Sequence, residues 1–147
     1  MNKLSVNKKA YYDYHVLETF TAGIQLRGSE IKPVKNSKTS IKEAYCFIDN
    51  NEVFIKGMHV TPNEKANDYD NHEPYRDRRL LLNKKEIRNL EKGIEAKGMT
   101  LVPLTLFIDS RGLIKLNVGL CKGKKNHDKR ESIKAKDIQR DIERSIK

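Results

Sequence analysis

Short runs of alternating apolar and polar residues recur along the chain and predict β-strands. A long run with period-two character covers residues 14–26, where a glycine marks a bend. Two pairs of runs each flank a turn rich in Asp, Asn, Ser or Gly, at 44–48 with 52–55 and at 101–108 with 113–121. Such pairs are typical of β-hairpins. A further short strand is predicted at 58–60.

A different spacing marks the clearest helix, which we predict to begin after Asn83. Glu86 follows three positions later, as in a capping box, and apolar residues then recur at intervals of three and four. Gly98 is a suitable stop. A second helical segment after Ser29 is expected to last only about one turn, because Pro33 interrupts it.

The remaining segments carry weaker patterns. Residues before position 14 are expected to form a basic, mobile leader. The polar residues 63–79 show no periodicity and predict a long exposed loop. Pro103 is expected to place its strand at an edge or at that strand's start, since proline cannot donate to a neighbouring strand.

This order of elements predicts a mainly β fold. Several antiparallel strands, one helix and two more strands fit a small, partly open OB-type β-barrel over residues 1–121, with the helix plugging one end. A β-sandwich or an SH3-like barrel is the alternative. The length of 147 residues suits one such domain.

The last segment, 122–147, differs from the rest in charge and spacing. It carries ten basic and five acidic residues, and thus half of the net charge of +10. Isoleucines at 138, 142 and 146 form one row, and basic residues form another. We expect a tail that is disordered when free and folds on binding a nucleic acid or another acidic surface. A helix docked permanently on the barrel, or a solubilising tail without a partner, are the alternatives.

Composition excludes several classes of protein. No apolar stretch approaches the roughly 20 residues that span a bilayer, and the first residues lack the apolar core of a secretory signal. A cytoplasmic protein is therefore expected. The two cysteines, Cys46 and Cys121, lie in apolar runs and are expected to be buried, which excludes a disulfide scaffold or a cysteine-based zinc site.

Candidate chemistry favours binding over catalysis. The four histidines show no metal-binding spacing, and the glycines before Lys124 do not match a phosphate-binding loop. An RNA-processing enzyme that uses His72 or His127 as acid and base stays open as an alternative, as does a ribosomal structural protein. Arginines at 76, 78 and 79 suit phosphate contacts, and His72 and Tyr75 offer faces for base stacking. The alternative is a solvated arginine cluster, with Tyr75 only covering the barrel.

Read together, the motifs resemble one family over nearly the whole chain. They are Asn-Lys-Lys-Ala at 7–10, Ala-Gly-Ile at 22–24, Gly-Ser-Glu-Ile-Lys at 28–32, Asn-His-Glu-Pro at 71–74, Arg-x-Arg-Arg-Leu-Leu-Leu at 76–82, Lys-Gly-Met-Thr-Leu-Val-Pro-Leu at 97–104 and Gly-Lys-Lys-Asn-His-Asp-Lys-Arg at 123–130. In this order they resemble the SmpB family of SsrA-binding proteins.

The resemblance implies an adaptor without catalytic activity or cofactor. Members bind the tRNA-like domain of transfer-messenger RNA and carry it, together with elongation factor Tu bound to that RNA, to bacterial ribosomes stalled in translation. The resemblance further implies that the tail enters the decoding centre of the small subunit and the empty mRNA channel as a helix. A cytoplasmic monomer without membrane contact is expected.

The resemblance also implies site residues. For transfer-messenger RNA they are Tyr14, Glu30, Lys32, Asn71, His72, Arg76, Arg78, Arg79, Leu81 and Lys115. For the ribosome they are Gly123, Lys124, Lys125, His127, Asp128, Lys129, Arg130, Lys134, Arg140 and Arg144. The chain departs from the family pattern at Thr21, Pro33, Lys35 and Ile138, which weakens any RNA contact expected there.

Overall fold

The computed structural model describes residues 2–63 and 71–124. In this part of the chain, nine strands and three helices follow one another. The strands are β1 (Asn2–Val6), β2 (Tyr14–Ile24), β3 (Thr39–Ser40), β4 (Tyr45–Asp49), β5 (Glu52–Lys56), β6 (His59–Val60), β7 (Arg78–Leu81), β8 (Thr100–Ile108) and β9 (Ile114–Gly123); the helices are α1 (Lys8–Asp13), α2 (Gly28–Lys35) and α3 (Lys84–Lys97).

Seven of the strands form one antiparallel sheet, and its order confirms the mainly β fold. The order is β1-β8-β9-β2-β7-β5-β4, while β3 pairs with β6 in a separate two-stranded sheet. Strand β4, at one edge, curls round to contact β8, but the described residues of these two strands form no ladder. The result is an OB-like barrel that is not closed, with α3 inserted between β7 and β8.

The barrel interior holds the main core. Strands β2 and β9 contribute Ala22, Leu116 and Val118 from the inward face, and Leu90 of α3 covers one end. A smaller cluster lies on the opposite face of the sheet, where Ala10 of α1 packs over residues of β8 and β9. Both faces of the β8–β9 hairpin are therefore covered near its open ends.

The predicted mobile leader is wrong, because its residues belong to the sheet and to α1. Strand β1 pairs with β8, and Val6 lies opposite Thr105. Asn7 caps α1 by accepting the N–H of Ala10, and its side-chain amide donates to the carbonyl of Pro103 at 3.0 Å. The local sequence of the leader does not reveal this docking, since the partner strand lies about a hundred residues away.

Helix α2 is longer than the predicted single turn. It extends over eight residues and contains Pro33 inside. The N-cap is Arg27 and not Ser29, and the backbone N–H of Arg27 donates to the Glu30 carboxylate at 2.7 Å. Burial of Val34 and Glu30 anchors the helix and offsets the hydrogen bond that Pro33 cannot donate.

The predicted exposed loop at 63–79 is wrong at its end, because Arg78 and Arg79 belong to β7. This strand joins β2 to β5, with Leu80 opposite both Ile24 and Val53. Taken alone, two arginines before an apolar run suggest the end of a loop. In the sheet, alternate residues of β7 point inward and outward, so both arginines can belong to the strand.

Helix α3 and both hairpins confirm the sequence prediction. Asn83 and Glu86 form a reciprocal capping box, and Gly98 ends the helix at a φ of 65°. The β4–β5 turn places Asn50 and Asn51 at φ values of 50° and 62°, a conformation that asparagine tolerates better than most residues. The short strand expected at 58–60 is β6.

Strand β8 lies between β1 and β9 in the sheet, but β1 pairs only with residues 105–108 of β8. Pro103 therefore lies in the first part of β8, where β1 provides no paired residue, which fits the expected place at an edge or at the strand's start. The register of β8 against β9 shifts directly after Pro103. Strand β9 continues to Gly123, beyond the expected boundary at 121. The structure describes no residue after Lys124, so the conformation expected for the tail stays a prediction. Among the described helices, none is long and apolar enough to cross a membrane.

Candidate nucleic-acid interface

Leu81 and Lys115 come together on the outward face of the sheet. Gly23 of β2 is paired with Leu81 of β7 on one side and with Lys115 of β9 on the other. Because glycine has no side chain, Leu81 leans over it: a Cβ built on Gly23 would lie 3.2 Å from the Cβ of Leu81. The leucine is half exposed, and an apolar surface therefore adjoins a cation.

A polar strip continues from this corner along β2 and β9. The Thr21 hydroxyl donates to the Asn117 side-chain carbonyl at 2.9 Å, across the same outward face. Tyr14 lies at the far end of β2, nine residues from Gly23 and thus about 30 Å away. It packs partly on the cluster beneath α1. The structure therefore brings Leu81 and Lys115 together and leaves Tyr14 at the opposite end of the strip.

Next to this corner, the carboxylate of Glu30 holds two arginines. Arg76 donates to Oε1 through Nε at 3.2 Å and Nη2 at 2.6 Å. Arg78 donates to Oε2 through Nε at 2.6 Å and makes a second contact through Nη2. The Glu30 and Arg78 side chains are fully buried, whereas that of Arg76 is 21% exposed.

These contacts set the charge states of the network. Burial alone would raise the pKa of Glu30, but hydrogen bonds from Arg76, the Arg27 N–H and Arg78 outweigh it and hold the pKa below its usual value. Burial lowers the pKa of Arg78, and Glu30 opposes that effect. Arg78 remains a cation because guanidinium is so strongly basic. Its Nη1 also donates to the Met58 carbonyl at 2.8 Å.

His72 joins the start of α2 to β6, close to the Glu30 network. Its Nε2 lies 2.9 Å from the carbonyl oxygen of Val60, which can only accept, so Nε2 carries a proton. Nδ1 lies 3.0 Å from the hydroxyl of Ser29. The preceding residue, Asn71, connects the chain to Asn63 through hydrogen bonds in both directions.

Three of the expected site residues lie inside the protein. Glu30, His72 and Arg78 are buried, and their polar atoms make hydrogen bonds within the protein. His72 offers neither a free face for base stacking nor a free nitrogen for acid and base chemistry. Tyr75 remains exposed, but its ring pairs with His59 at 4.9 Å and not with His72.

The other site residues of the barrel are accessible to differing degrees. Lys32 and Arg79 are exposed, and Arg76 and Asn71 are partly so. Arg79 lies 3.6 Å from Glu52 in a half-exposed ion pair. Gly123 ends β9 opposite Tyr14, and the backbone N–H of Lys124 donates to the Asp13 carbonyl at 2.8 Å. The ribosome-binding residues expected from Lys125 onward lie outside the described residues.

Sequence reasoning missed two contributors to this corner. The sequence predicts only that Gly23 bends its strand and that Ser29 caps a helix. Gly23 leaves the space that the Leu81 side chain covers, and Ser29 is the hydrogen-bond partner of His72. Both roles depend on strands and loops that are distant in sequence. The period-two alternation of β2 is the available signal for Gly23, because it places this residue on the outward face.

The part of the chain that the structure describes contains no group of three or more metal-ligating side chains. A cleft of about 720 Å³ lies between β4, the end of α3 and the start of β8, and its lining combines apolar residues with Glu91 and Glu95. Cys46 and Cys121 are buried and unpaired, as expected, and burial raises the pKa of both thiols, that of Cys121 to about 11.

Known proteins are similar to this chain along nearly its whole length. The family model described as "SmpB protein" matches residues 4–147. An SsrA-binding protein of Flavobacterium johnsoniae is 47% identical, covering 95% of this chain and 91% of the relative. That of Thermosipho africanus is 44% identical, covering 100% and 98%.

A solved structure agrees in fold. The chain described as "tmRNA-SmpB: a journey to the center of the bacterial ribosome" has a TM-score of 0.66 and 37% identity, covering 87% of this chain and 92% of that one. Sequence and fold thus agree over the barrel, and the family match extends through the tail. The chain belongs to the SmpB family.

Proposed function

We propose that this protein is an RNA-binding adaptor that binds the tRNA-like domain of transfer-messenger RNA and delivers it to stalled bacterial ribosomes for trans-translation. Its relatives are named SsrA-binding proteins, and the similar solved structure is described with tmRNA and the bacterial ribosome. The observation that carries the proposal is the surface where Leu81 and Lys115 meet over Gly23.

That surface has the chemistry of a contact with folded RNA. Lys115 supplies a cation for phosphate, and half-exposed Leu81 supplies apolar contact for a sugar or an unpaired base. Lys32, Arg76 and Arg79 extend the cationic surface, and Asn71 and Tyr14 remain as further proposed contacts. Glu30, His72 and Arg78 act as positioning residues, since they fix α2 and the segment before β7 beneath this surface.

The tail completes the proposed adaptor. We assign it to the decoding centre and the empty mRNA channel, with Gly123 and Lys124 as the junction that leaves the sheet. Its concentration of basic residues suits ribosomal RNA, because each neutralised phosphate releases counterions. The proposed contacts are Lys125, His127, Asp128, Lys129, Arg130, Lys134, Arg140 and Arg144.

The proposal gives the protein no reaction to catalyse and no cofactor. Elongation factor Tu joins the complex through the RNA, and the protein acts as a monomer in the cytoplasm. Purification of RNA bound to the protein in bacterial cells tests this assignment. One dominant RNA species with a tRNA-like end supports it, whereas recovery of the protein at equal amounts with every ribosome would indicate a ribosomal structural protein instead.

Binding to the isolated tRNA-like domain tests the surface. Lys115→Gln and Leu81→Ala are each expected to weaken binding, and Lys115→Gln is also expected to reduce its salt dependence. Lys85→Gln, an exposed lysine on α3, is the matched control and should bind as the unchanged protein does. Equal effects of Lys85→Gln and Lys115→Gln would contradict the proposed location.

A truncation separates the barrel from the tail. The chain should end after Lys124, because this residue still bonds to Asp13 and Tyr11 at the end of the sheet. The shortened protein is expected to bind the tRNA-like domain but to support no peptide tagging on stalled ribosomes. His127→Ala in the full chain provides a second measurement. Loss of RNA binding and tagging to the same extent would contradict the division of roles.

A further inference from the structure

The outward face of β4, β5 and β7 carries a second group of aromatic and basic side chains. Phe47 is paired with Phe54 across the β4–β5 hairpin, and Phe54 is paired with Arg79 of β7. Tyr45 is paired with Lys56 two residues along. Directly paired residues of antiparallel strands point to the same face, so these five side chains form one surface.

The aromatic rings of this surface are available to solvent in part. The two phenylalanine rings stack with centroids 5.4 Å apart and an angle of 21° between their planes. Tyr45 is 51% exposed, and both phenylalanines are half-buried although they lie outside the barrel core.

Two cations lie beside these rings, where they can meet a phosphate chain. Lys56 is exposed, and the Arg79 side chain is 46% exposed. Two carboxylates lie at the turn end of the same face: Asp49 is paired with Glu52, and Glu52 lies 3.6 Å from Arg79. Stacking platforms flanked by cations are the general means by which proteins hold single-stranded nucleic acids without reading their sequence.

We propose that Tyr45, Phe47, Phe54 and Lys56, together with Arg79 at their border, bind a single-stranded segment of RNA. This single-strand surface adjoins the Leu81–Lys115 corner through β7, where Arg79 lies at the border of both. It differs from that corner in the side chains of β4 and β5 and in its ligand, which is unpaired nucleotides whose bases stack on the rings. It does not depend on the proposed role in trans-translation.

A labelled oligouridylate of about twelve nucleotides is the direct probe, because it has little structure and fits the site sizes of such surfaces. Fluorescence anisotropy with the full chain is expected to show salt-dependent binding. Phe54→Leu and Tyr45→Leu should each weaken it at least about five-fold, since one stacked base contributes that much or more. Lys56→Gln should weaken it about two- to five-fold and lower the salt dependence.

Glu52→Gln provides a test in the opposite direction. It removes the carboxylate that competes for Arg79, so oligouridylate should bind about two-fold more tightly. Tyr11→Leu and Lys85→Gln are matched controls, because both replace an exposed residue elsewhere on the protein. They should bind the oligonucleotide as the unchanged protein does.

Binding to the tRNA-like domain is measured on the same variants. Tyr45→Leu and Lys56→Gln are surface changes, and retained binding to that domain shows that they remain folded. Oligouridylate affinity that is unchanged in both variants, or lost equally in the two controls, would overturn the single-strand surface while leaving the proposed function intact. If both variants lost binding to the tRNA-like domain but kept binding to oligouridylate, the single-strand surface would be overturned as well, because these residues would then bind folded RNA.

Discussion

Glu30 and Arg78 form an ion pair in which both side chains are fully buried, 48 residues apart in the chain. A buried charge that loses its partner is much more costly than an exposed one, because it is left without solvent or counter-charge. This relationship changes how substitutions at Arg78 should be interpreted. Loss of RNA binding in Arg78→Ala would follow from a disturbed barrel, and not from a lost contact with phosphate.

The first prediction concerns the strength of this pair. Glu30→Gln is expected to lower the free energy of unfolding by about 3–5 kcal/mol, because two guanidinium groups lose their shared carboxylate. Urea unfolding followed by circular dichroism measures the change. Glu52→Gln, which breaks a half-exposed ion pair with Arg79, should alter stability by less than about 0.5 kcal/mol. Similar losses in the two variants would contradict the special cost assigned to burial.

The second prediction concerns the loss of stability at low pH. The pKa of Glu30 is lower in the folded protein than in the unfolded chain, so the unfolded chain binds the proton first. The stability that Glu30 contributes is therefore fully present above the unfolded pKa of about 4.3 and is lost as pH falls through the lowered folded value. The difference in unfolding free energy between the unchanged protein and Glu30→Gln should be constant near neutral pH and shrink below about pH 4. A difference that grows on acidification would mean that folding raises the pKa of Glu30 instead of lowering it.

The third prediction concerns Gly93 in the middle of α3. Helix propensity alone favours alanine by about 1 kcal/mol. However, a Cβ at this position would lie 2.5 Å from Cδ2 of Leu120, whose side chain is buried in the core. Overpacking of this kind costs about 1–3 kcal/mol, so Gly93→Ala is expected to destabilise the protein by about 1 kcal/mol.

A double-mutant cycle isolates the contact at Gly93. Leu120→Val shortens the opposing side chain, and Gly93→Ala should cost less in that background. Exposed Ala96 on the same helix gives the comparison for propensity, because Ala96→Gly should cost about 1 kcal/mol without any packing change. If Gly93→Ala raised the urea midpoint of the otherwise unchanged protein, close packing against Leu120 would not be the reason for glycine there.

The fourth prediction concerns the two thiols. Cys46 and Cys121 are buried, and burial raises the pKa of both, so neither is a thiolate near neutral pH. Reaction with Ellman's reagent at pH 8 should be slow in the folded protein and rapid for both thiols in urea. Rapid labelling of either thiol without denaturant would show that its strand opens readily.

The elements that the sequence predicted correctly are those with a local cause. Helix α3 is specified by its capping residues Asn83 and Glu86 and by the spacing of its apolar residues, which all lie within one segment. The β4–β5 and β8–β9 hairpins are likewise specified by adjacent strands and their turns. The motifs at fixed positions in the chain also indicated the family before any contact was known.

The tertiary structure alone decided which motif residues face outward and which lie inside. Arg76, Arg78 and Arg79 read as one basic cluster in the sequence, yet β7 turns Arg78 into the interior toward Glu30 and Arg79 outward. Leu81 and Lys115 likewise adjoin only because both strands pair with β2 at Gly23. Local sequence determines periodicity and caps through neighbouring residues, whereas register between distant strands depends on how the whole barrel packs.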